Sequence, residues 1–163
     1  MALREIRTYG DSILSKECRV IKDVTPRIRE LVQDMLDTMY YANGVGLAAP
    51  QVGVLKRVVV IDVEGNAQDS HALIMVNPEI LETEGEQTGD EGCLSVPGKV
   101  GTVTRPSKVK ARAFDLDMNE YEIEAEGILA RAICHEVDHL NGKVYVELAE
   151  GGIRDVESGN DGG

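Results

Sequence analysis

The sequence has no apolar run approaching the roughly 20 residues needed to cross a bilayer, so no helical membrane span is expected. Its N-terminus, Met1-Ala2-Leu3-Arg4-Glu5-Ile6-Arg7, has no apolar signal core. Cysteine is scarce. Cys18, Cys93 and Cys134 are the only three, too few and too odd in number for a disulfide framework, which favours a reducing cytoplasm. Positive charge is scarce too: 17 basic residues stand against 29 acidic ones, for a net charge of -12. That balance argues against unaided binding to a nucleic-acid backbone or a membrane surface. Internal repeats and Pro- or Ser-rich linkers are missing as well, so nothing splits the chain. What is present is 163 residues, 42% apolar and 28% charged, the composition of one globular domain. That domain is expected over 1–150, with a glycine-rich, acidic tail, 151–163, expected to be disordered.

The clearest element is a helix over 26–42. Thr25-Pro26 supplies a cap and then proline at the first helical position. Ile28, Leu31, Val32, Met35, Leu36 and Met39 form a stripe at three- and four-residue spacing, and Asn43-Gly44 closes the helix with a left-handed residue. Strands are expected at 58–61 and at 73–76, the latter stopped by Asn77-Pro78. Two alternating segments, 108–115 and 120–125, form a hairpin across the 116–119 loop, with Lys110 and Arg112 facing Glu122 and Glu124. A second helix is expected over 126–141, again closed by Asn-Gly, with one more short strand over 143–148. Helix, several strands, then helix is an α+β pattern, not βαβ alternation.

The second helix contains His135-Glu136-Val137-Asp138-His139, an H-E-x-x-H. At about 100° per residue the two histidines lie roughly 40° apart, so both imidazoles can reach one metal ion. Leu129, Ala132, Ile133 and Leu140 lie within about 60° of Glu136, whereas Arg131, Cys134, Asp138 and Asn141 lie opposite. A carboxylate in an apolar stripe costs several kcal/mol unless something compensates it, and a nearby metal-bound water does so. The bland alternative is a chance pattern with each histidine merely hydrogen-bonded. A metal needs a third protein ligand. The position of a third histidine in one known continuation holds Tyr145, and Glu157 lies in the glycine-rich tail. His71, the three cysteines and upstream carboxylates remain.

Cys93 stands in Glu91-Gly92-Cys93-Leu94-Ser95, beside a turn that suits a thiolate presented at a strand end; the alternative is a small buried core cysteine. Cys134 and Cys18 read as packing residues. A third segment, Gly44-Val45-Gly46-Leu47-Ala48-Ala49-Pro50-Gln51, formally matches a dinucleotide fingerprint. That reading fails, because a helix stands where a strand is needed and Pro50 interrupts the helix required after it. Such a segment does let backbone approach a ligand closely, with the Gln51 amide at its far end.

Taken together, Gly44 to Gln51, Glu91 to Ser95 and His135 to His139 resemble, in order, the G-x-G-x-A-A-x-Q, E-G-C-L-S and H-E-x-D-H signatures of the peptide deformylase family. The resemblance runs from near Tyr9-Gly10-Asp11 to about Val146. It implies antiparallel sheets surrounding a central helix that carries both histidines. It also implies a divalent metal on Cys93, His135 and His139 with a water at the fourth position. The usual metal is Fe²⁺; Zn²⁺, Ni²⁺ or Co²⁺ can substitute. The implied activity removes formate from the N-terminal formylmethionine of nascent polypeptides. Metal-bound water attacks the formyl carbonyl, Glu136 is the general acid/base, and the Gln51 side chain and Leu94 backbone N–H hold the oxyanion beside the metal. Implied substrate contacts are Gly44, Val45, Gly46, Leu47, Glu91, Gly92, Leu129 and Ile133, of which Val45, Gly46, Leu129 and Ile133 can line an apolar pocket for methionine.

The sequence departs from the family pattern in places. Ser12 stands where Gly-Asp-Pro is common, and Gly98-Lys99-Val100 replaces a stretch that carries an arginine in some members. The long basic C-terminal helix by which some members dock on the ribosome is missing. With the net charge, this leaves at most transient ribosome contact for a cytoplasmic protein whose partners are N-formylmethionyl peptides. Arg105 and Asp138 either form a charge pair that orients the metal helix or are solvated separately. Two other readings compete: a different small metallo-amidase or peptidase, and a non-catalytic metal-binding domain.

Overall fold

The computed structural model describes residues 2–64 and 72–156. In chain order these form α1 (Pro26–Tyr41), β1 (Gly46–Ala48), β2 (Val58–Ile61), β3 (Leu73–Glu84), β4 (Gln87–Cys93), β5 (Val96–Arg105), β6 (Lys108–Phe114), β7 (Glu120–Glu126), α2 (Gly127–Leu140) and β8 (Glu150–Asp155), with short 3₁₀ turns between them. One antiparallel sheet runs β1-β2-β3-β6-β7 and a second runs β4-β5-β8. This is the mixed α and β architecture expected, with both helices within a residue or two of their expected bounds.

Burial explains the patterns. All four residues of β2 are buried because helices cover both faces of its sheet. Val59 and Ile61 pack with Met75, Ala111 and Ala113 against Ile133, Val137 and Leu140 of α2. Val58 and Val60 turn the other way, toward Leu31, Val32, Met35 and Met39 of α1. A strand buried on both faces reads as a continuous β-branched run, not an alternation. A third cluster, Leu14, Cys93, Val96, Val103, Val144 and Tyr145, lies under the second sheet. The hairpin pairs basic with acidic residues as expected, Lys110 opposite Glu124 and Arg112 opposite Glu122.

Three expectations are corrected. The strand expected to stop at Asn77-Pro78 continues to Glu84. The register slips between Val76 and Glu79, so proline occupies a bulge, where its missing N–H breaks no ladder bond. Asn77 makes the bulge possible. It adopts φ 51°, accepts from the Ile21 N–H at 2.8 Å and donates to the Ile21 carbonyl at 2.7 Å. Segment 143–148 forms a 3₁₀ turn, Tyr145–Glu147, instead of a strand; Val144 and Tyr145 are both buried, and adjacent burial does not fit a half-buried strand's two-residue period. The tail expected to be disordered from 151 is instead strand β8 as far as Asp155, paired with β5. Gly151 and Gly152, at φ 79° and 83°, fold the bend that lets Ile153 join the third cluster. Arg154 then bonds Asp90, and Lys99 bonds Asp155. The rest of the tail, 157–163, lies outside the described residues, as does His71.

Removing the Asn77 side chain leaves the Ile21 N–H and carbonyl unpaired, a cost of about 1–3 kcal/mol. Asn77→Ala also forces alanine into left-handed backbone, about 1–2 kcal/mol more. Denaturant titration should therefore find Asn77→Gly destabilised, and Asn77→Ala destabilised by about 1–2 kcal/mol beyond it. Equal stability of the two variants would contradict this account of the bulge.

Candidate metal centre

Cys93 is the last residue of β4, and Leu94-Ser95 turn the chain into β5. His135 and His139 stand one helical turn apart on α2. The three side chains converge: Cys93 Sγ is 3.3 Å from His139 Nε2, which is 3.2 Å from His135 Nε2. All three residues are buried, and one ligand atom from each lies within 4.8 Å of the others. Two imidazole nitrogens and a thiol this close suit a borderline divalent cation such as zinc or iron.

The carboxylate of Glu91 fixes this arrangement. Its Oε2 accepts from His135 Nδ1 at 2.5 Å and from Arg105 Nη2 at 2.7 Å; its Oε1 accepts from Arg105 Nε at 3.1 Å and Arg131 Nη1 at 3.0 Å. Because Nδ1 is engaged by the carboxylate, Nε2 of His135 is left to face the ligand cluster. Burial alone would raise the Glu91 carboxyl, but the hydrogen bonds from His135 and Arg105 hold it well below the usual range. Arg105 Nη1 also bonds Asp138 Oδ2 at 2.6 Å, so Arg105 and Asp138 form the linked pair.

Glu136 is 4% exposed, and its Oε1 has no hydrogen-bond partner among the described residues. Burial pushes its carboxyl up to about 7. Its Oε2 fills the space beside Gly46, where an added Cβ would lie 2.4 Å away. Gly44 is pressed the same way, with a Cβ there falling 2.5 Å from Leu94 Cδ1. The glycine-rich segment thus makes β1 and then, from Ala49 to Val52, a 3₁₀ turn that carries Gln51. Gln51 Nε2 donates to Ser95 Oγ at 3.0 Å and lies 3.5 Å from Cys93 Sγ.

Beside this cluster opens a hollow of about 220 Å³ lined by Val45, Val63, Asp90, Glu91, Gly92, Ile128, Arg131, Ala132, His135 and Glu136. A buried thiol–imidazole set, a poised carboxylate and an adjoining cleft are what a metal-assisted hydrolase requires. Residues 3–152 match the profile of the family described as polypeptide deformylase. The chain belongs to that family.

A peptide deformylase of Agathobacter rectalis is 65% identical over 157 residues, covering 96% of each chain. One from Lachnoclostridium phytofermentans is 62% identical over 160 residues, covering 97% of this chain and 96% of its own. Among solved structures, a peptide deformylase from Legionella pneumophila superposes with a TM-score of 0.88 at 44% identity, over 91% of this chain and 87% of its own. That of Synechococcus elongatus, crystallised with actinonin, gives 0.87 at 38% identity, over 90% of this chain and 80% of its own.

Of the expected substrate contacts, Val45, Glu91 and Gly92 line the hollow, and Gly44 and Gly46 border the cluster through Leu94 and Glu136. Three do not line the hollow. Leu47 is wholly buried on the α1 side. Ile133 is wholly buried against the five-stranded sheet. Leu129 packs with that same cluster and borders a different hollow, with Ile61, Leu73 and Ile123. The offset is one helical position: Ile128, Arg131 and Ala132 face the cleft, because the sheet claims the Leu129–Ile133 side. Glu91 lines the hollow, while its carboxylate is engaged by His135 and two arginines. Roles for Ser95 and Arg131 emerge only from the fold. Arg131 falls on what looks like a solvated helix face, and no local pattern shows that its partner is Glu91, on a distant strand.

Glu91→Gln should be strongly destabilising in metal-free protein at neutral pH, by about 3–5 kcal/mol, because it removes the buried carboxylate that pairs with both Arg105 and Arg131 and leaves Asp138 alone to offset Arg105. The native carboxyl lies below its unfolded value, so its contribution is complete above the ordinary carboxylate pKa of about 4.3 and is lost as pH falls toward the depressed native value. Denaturant titrations at about pH 7 and about pH 3.5 should show the gap between wild type and Glu91→Gln narrowing in acid. A gap that is constant or widens would refute the assignment.

Proposed function

We propose that this chain is a metal-dependent hydrolase that removes the formyl group from the N-terminal formylmethionine of nascent polypeptides in the cytoplasm. The observation that carries this reading is the buried Glu136 carboxylate, whose Oε1 has no hydrogen-bond partner among the described residues, next to the Cys93, His135 and His139 cluster and lining an apolar-edged hollow. We read α2 as the helix around which both sheets are arranged. Cys93 Sγ, His135 Nε2 and His139 Nε2 would hold one divalent ion, Fe²⁺ physiologically, with Zn²⁺, Ni²⁺ or Co²⁺ able to replace it. Bound there, it would supply a Lewis acid that polarises the formyl carbonyl and acidifies water.

The protein's own groups do the rest. Glu136 takes the proton from the attacking water and delivers it to the departing methionine amine, and its raised pKa suits a group that must both accept and return a proton near neutrality. The Gln51 amide and the Leu94 backbone N–H donate to the formyl oxygen as negative charge develops on it. Formyl presents almost no surface of its own, so binding energy comes from the methionine side, where Val45, Val63, Ile128 and Ala132 offer an apolar wall. Arg131 and Asp90 mark the polar edge of the same hollow. A thiolate ligand beside ferrous iron makes oxygen sensitivity an expected property. With a net charge of -12, contact with the ribosome is read as transient. Among the described residues no helix is long and apolar enough to cross a membrane.

Protein purified without oxygen and loaded with Ni²⁺ or Fe²⁺ should release formate from formyl-Met-Ala-Ser. Glu136→Ala should retain the ion and lose nearly all release. Gly46→Ala, which pushes a methyl into the Glu136 carboxylate, should keep the fold and lower kcat by about 100-fold, the cost of a misplacement near 1 Å. Full metal loading with no formate release would reject the reading in favour of a binding domain or another amide substrate.

A further inference from the structure

The surroundings of the Gln51 amide decide its orientation. The Ala48 N–H lies 2.9 Å from Gln51 Oε1 and can only donate, so the amide oxygen must face it and the NH₂ must face away. On that far side Nε2 donates to Ser95 Oγ at 3.0 Å and to Cys93 Sγ at 3.5 Å. Gln51 is 1% exposed and Ser95 fully buried, so bulk water does not compete for these bonds. An amide NH₂ carries two hydrogens. With one directed at Ser95 Oγ, the other is directed at Cys93 Sγ, toward the ligand cluster, and a longer contact to sulfur holds it more weakly than the Ser95 bond holds the first.

The backbone of the same two residues is tied down together. The Arg7 N–H donates to the Gln51 carbonyl and the Tyr9 N–H to the Ser95 carbonyl, each at 2.7 Å. Segment 7–9 therefore runs across the 3₁₀ turn and the β4–β5 turn and fixes their separation. The terminal torsion of a glutamine is soft. The Ala48 bond alone holds one end of the amide and lets the plane rock about it; the Ser95 bond holds the other end.

We propose that Ser95 is a positioning residue that acts through Gln51. Its hydroxyl sets the amide plane so that the second Nε2 hydrogen points where the formyl oxygen becomes negative. This rests on the deformylase reading above. Ser95 adds no charge and moves no proton. It removes the freedom that would otherwise have to be lost as the transition state forms.

The test is a double-mutant cycle on formyl-Met-Ala-Ser with Ser95→Ala, Gln51→Ala and the double variant, each with metal content measured. It is paired with hydrogen exchange of the Gln51 side-chain amide in ¹⁵N-labelled, metal-free wild type and Ser95→Ala. Ser95→Ala should lower kcat about tenfold, less than the ~10²–10³ lost with a whole oxyanion donor, with KM within about twofold and the ion retained. In the Gln51→Ala background the same substitution should cost nothing further. The Gln51 amide protons should exchange about tenfold faster in Ser95→Ala. An unchanged kcat, an equal loss with and without Gln51, or unchanged amide exchange would overturn the proposal. If wild type releases no formate, the deformylase reading fails, and amide exchange still decides whether Ser95 holds Gln51.

Discussion

The Glu91 carboxylate is the joint on which the site depends. It lies on β4, in the second sheet, yet every donor that reaches it comes from another element: Arg105 from β5, and Arg131 and His135 from α2. The strand that ends in Cys93 and the helix that carries both imidazoles are thereby clamped at one buried charge. Such a cluster is costly to desolvate and returns little net stability. What it does return is geometry, since a His135 ring bonded through Nδ1 has only Nε2 to offer. Asp138, on the outer face of α2, completes the arrangement by neutralising the far side of Arg105.

The second constraint is space. The Glu136 carboxylate occupies the volume that a side chain at position 46 would fill, and Leu94 occupies the volume beside Gly44. The glycines of the first motif are therefore complementary to residues of the other two motifs. Each motif is short, but each is shaped around the others, so the proposed chemistry requires all three on one chain.

Much of this was legible in the sequence because it is written in local periodicity. α1 begins at a Thr-Pro cap and ends before Asn43; α2 runs to Asn141-Gly142; the Lys110–Arg112 strand lies opposite Glu122–Glu124, basic facing acidic. What escaped depended on contacts distant in sequence. Asn77 turns a strand-breaking Asn-Pro into a bulge only because Ile21 lies beside it. Gly151 and Gly152 look like a fraying tail until β5 offers an edge to pair with. The cleft face of α2 lies one residue away from its apolar stripe, which marks the side facing the sheet. Arg131 carries no signal of its own, and Ser95, although it closes the Glu91–Ser95 signature, shows its partner only once Gln51 is folded beside it.

The proposed chemistry stands most directly on Cys93, His135 and His139 sharing one ion. X-ray absorption on the Zn²⁺-loaded protein measures this without reference to activity. A shared site predicts one ion per chain with a single sulfur at about 2.3 Å and two imidazole nitrogens at about 2.0–2.1 Å. A sulfur-free shell, or loading unaffected by Cys93→Ala, would contradict it.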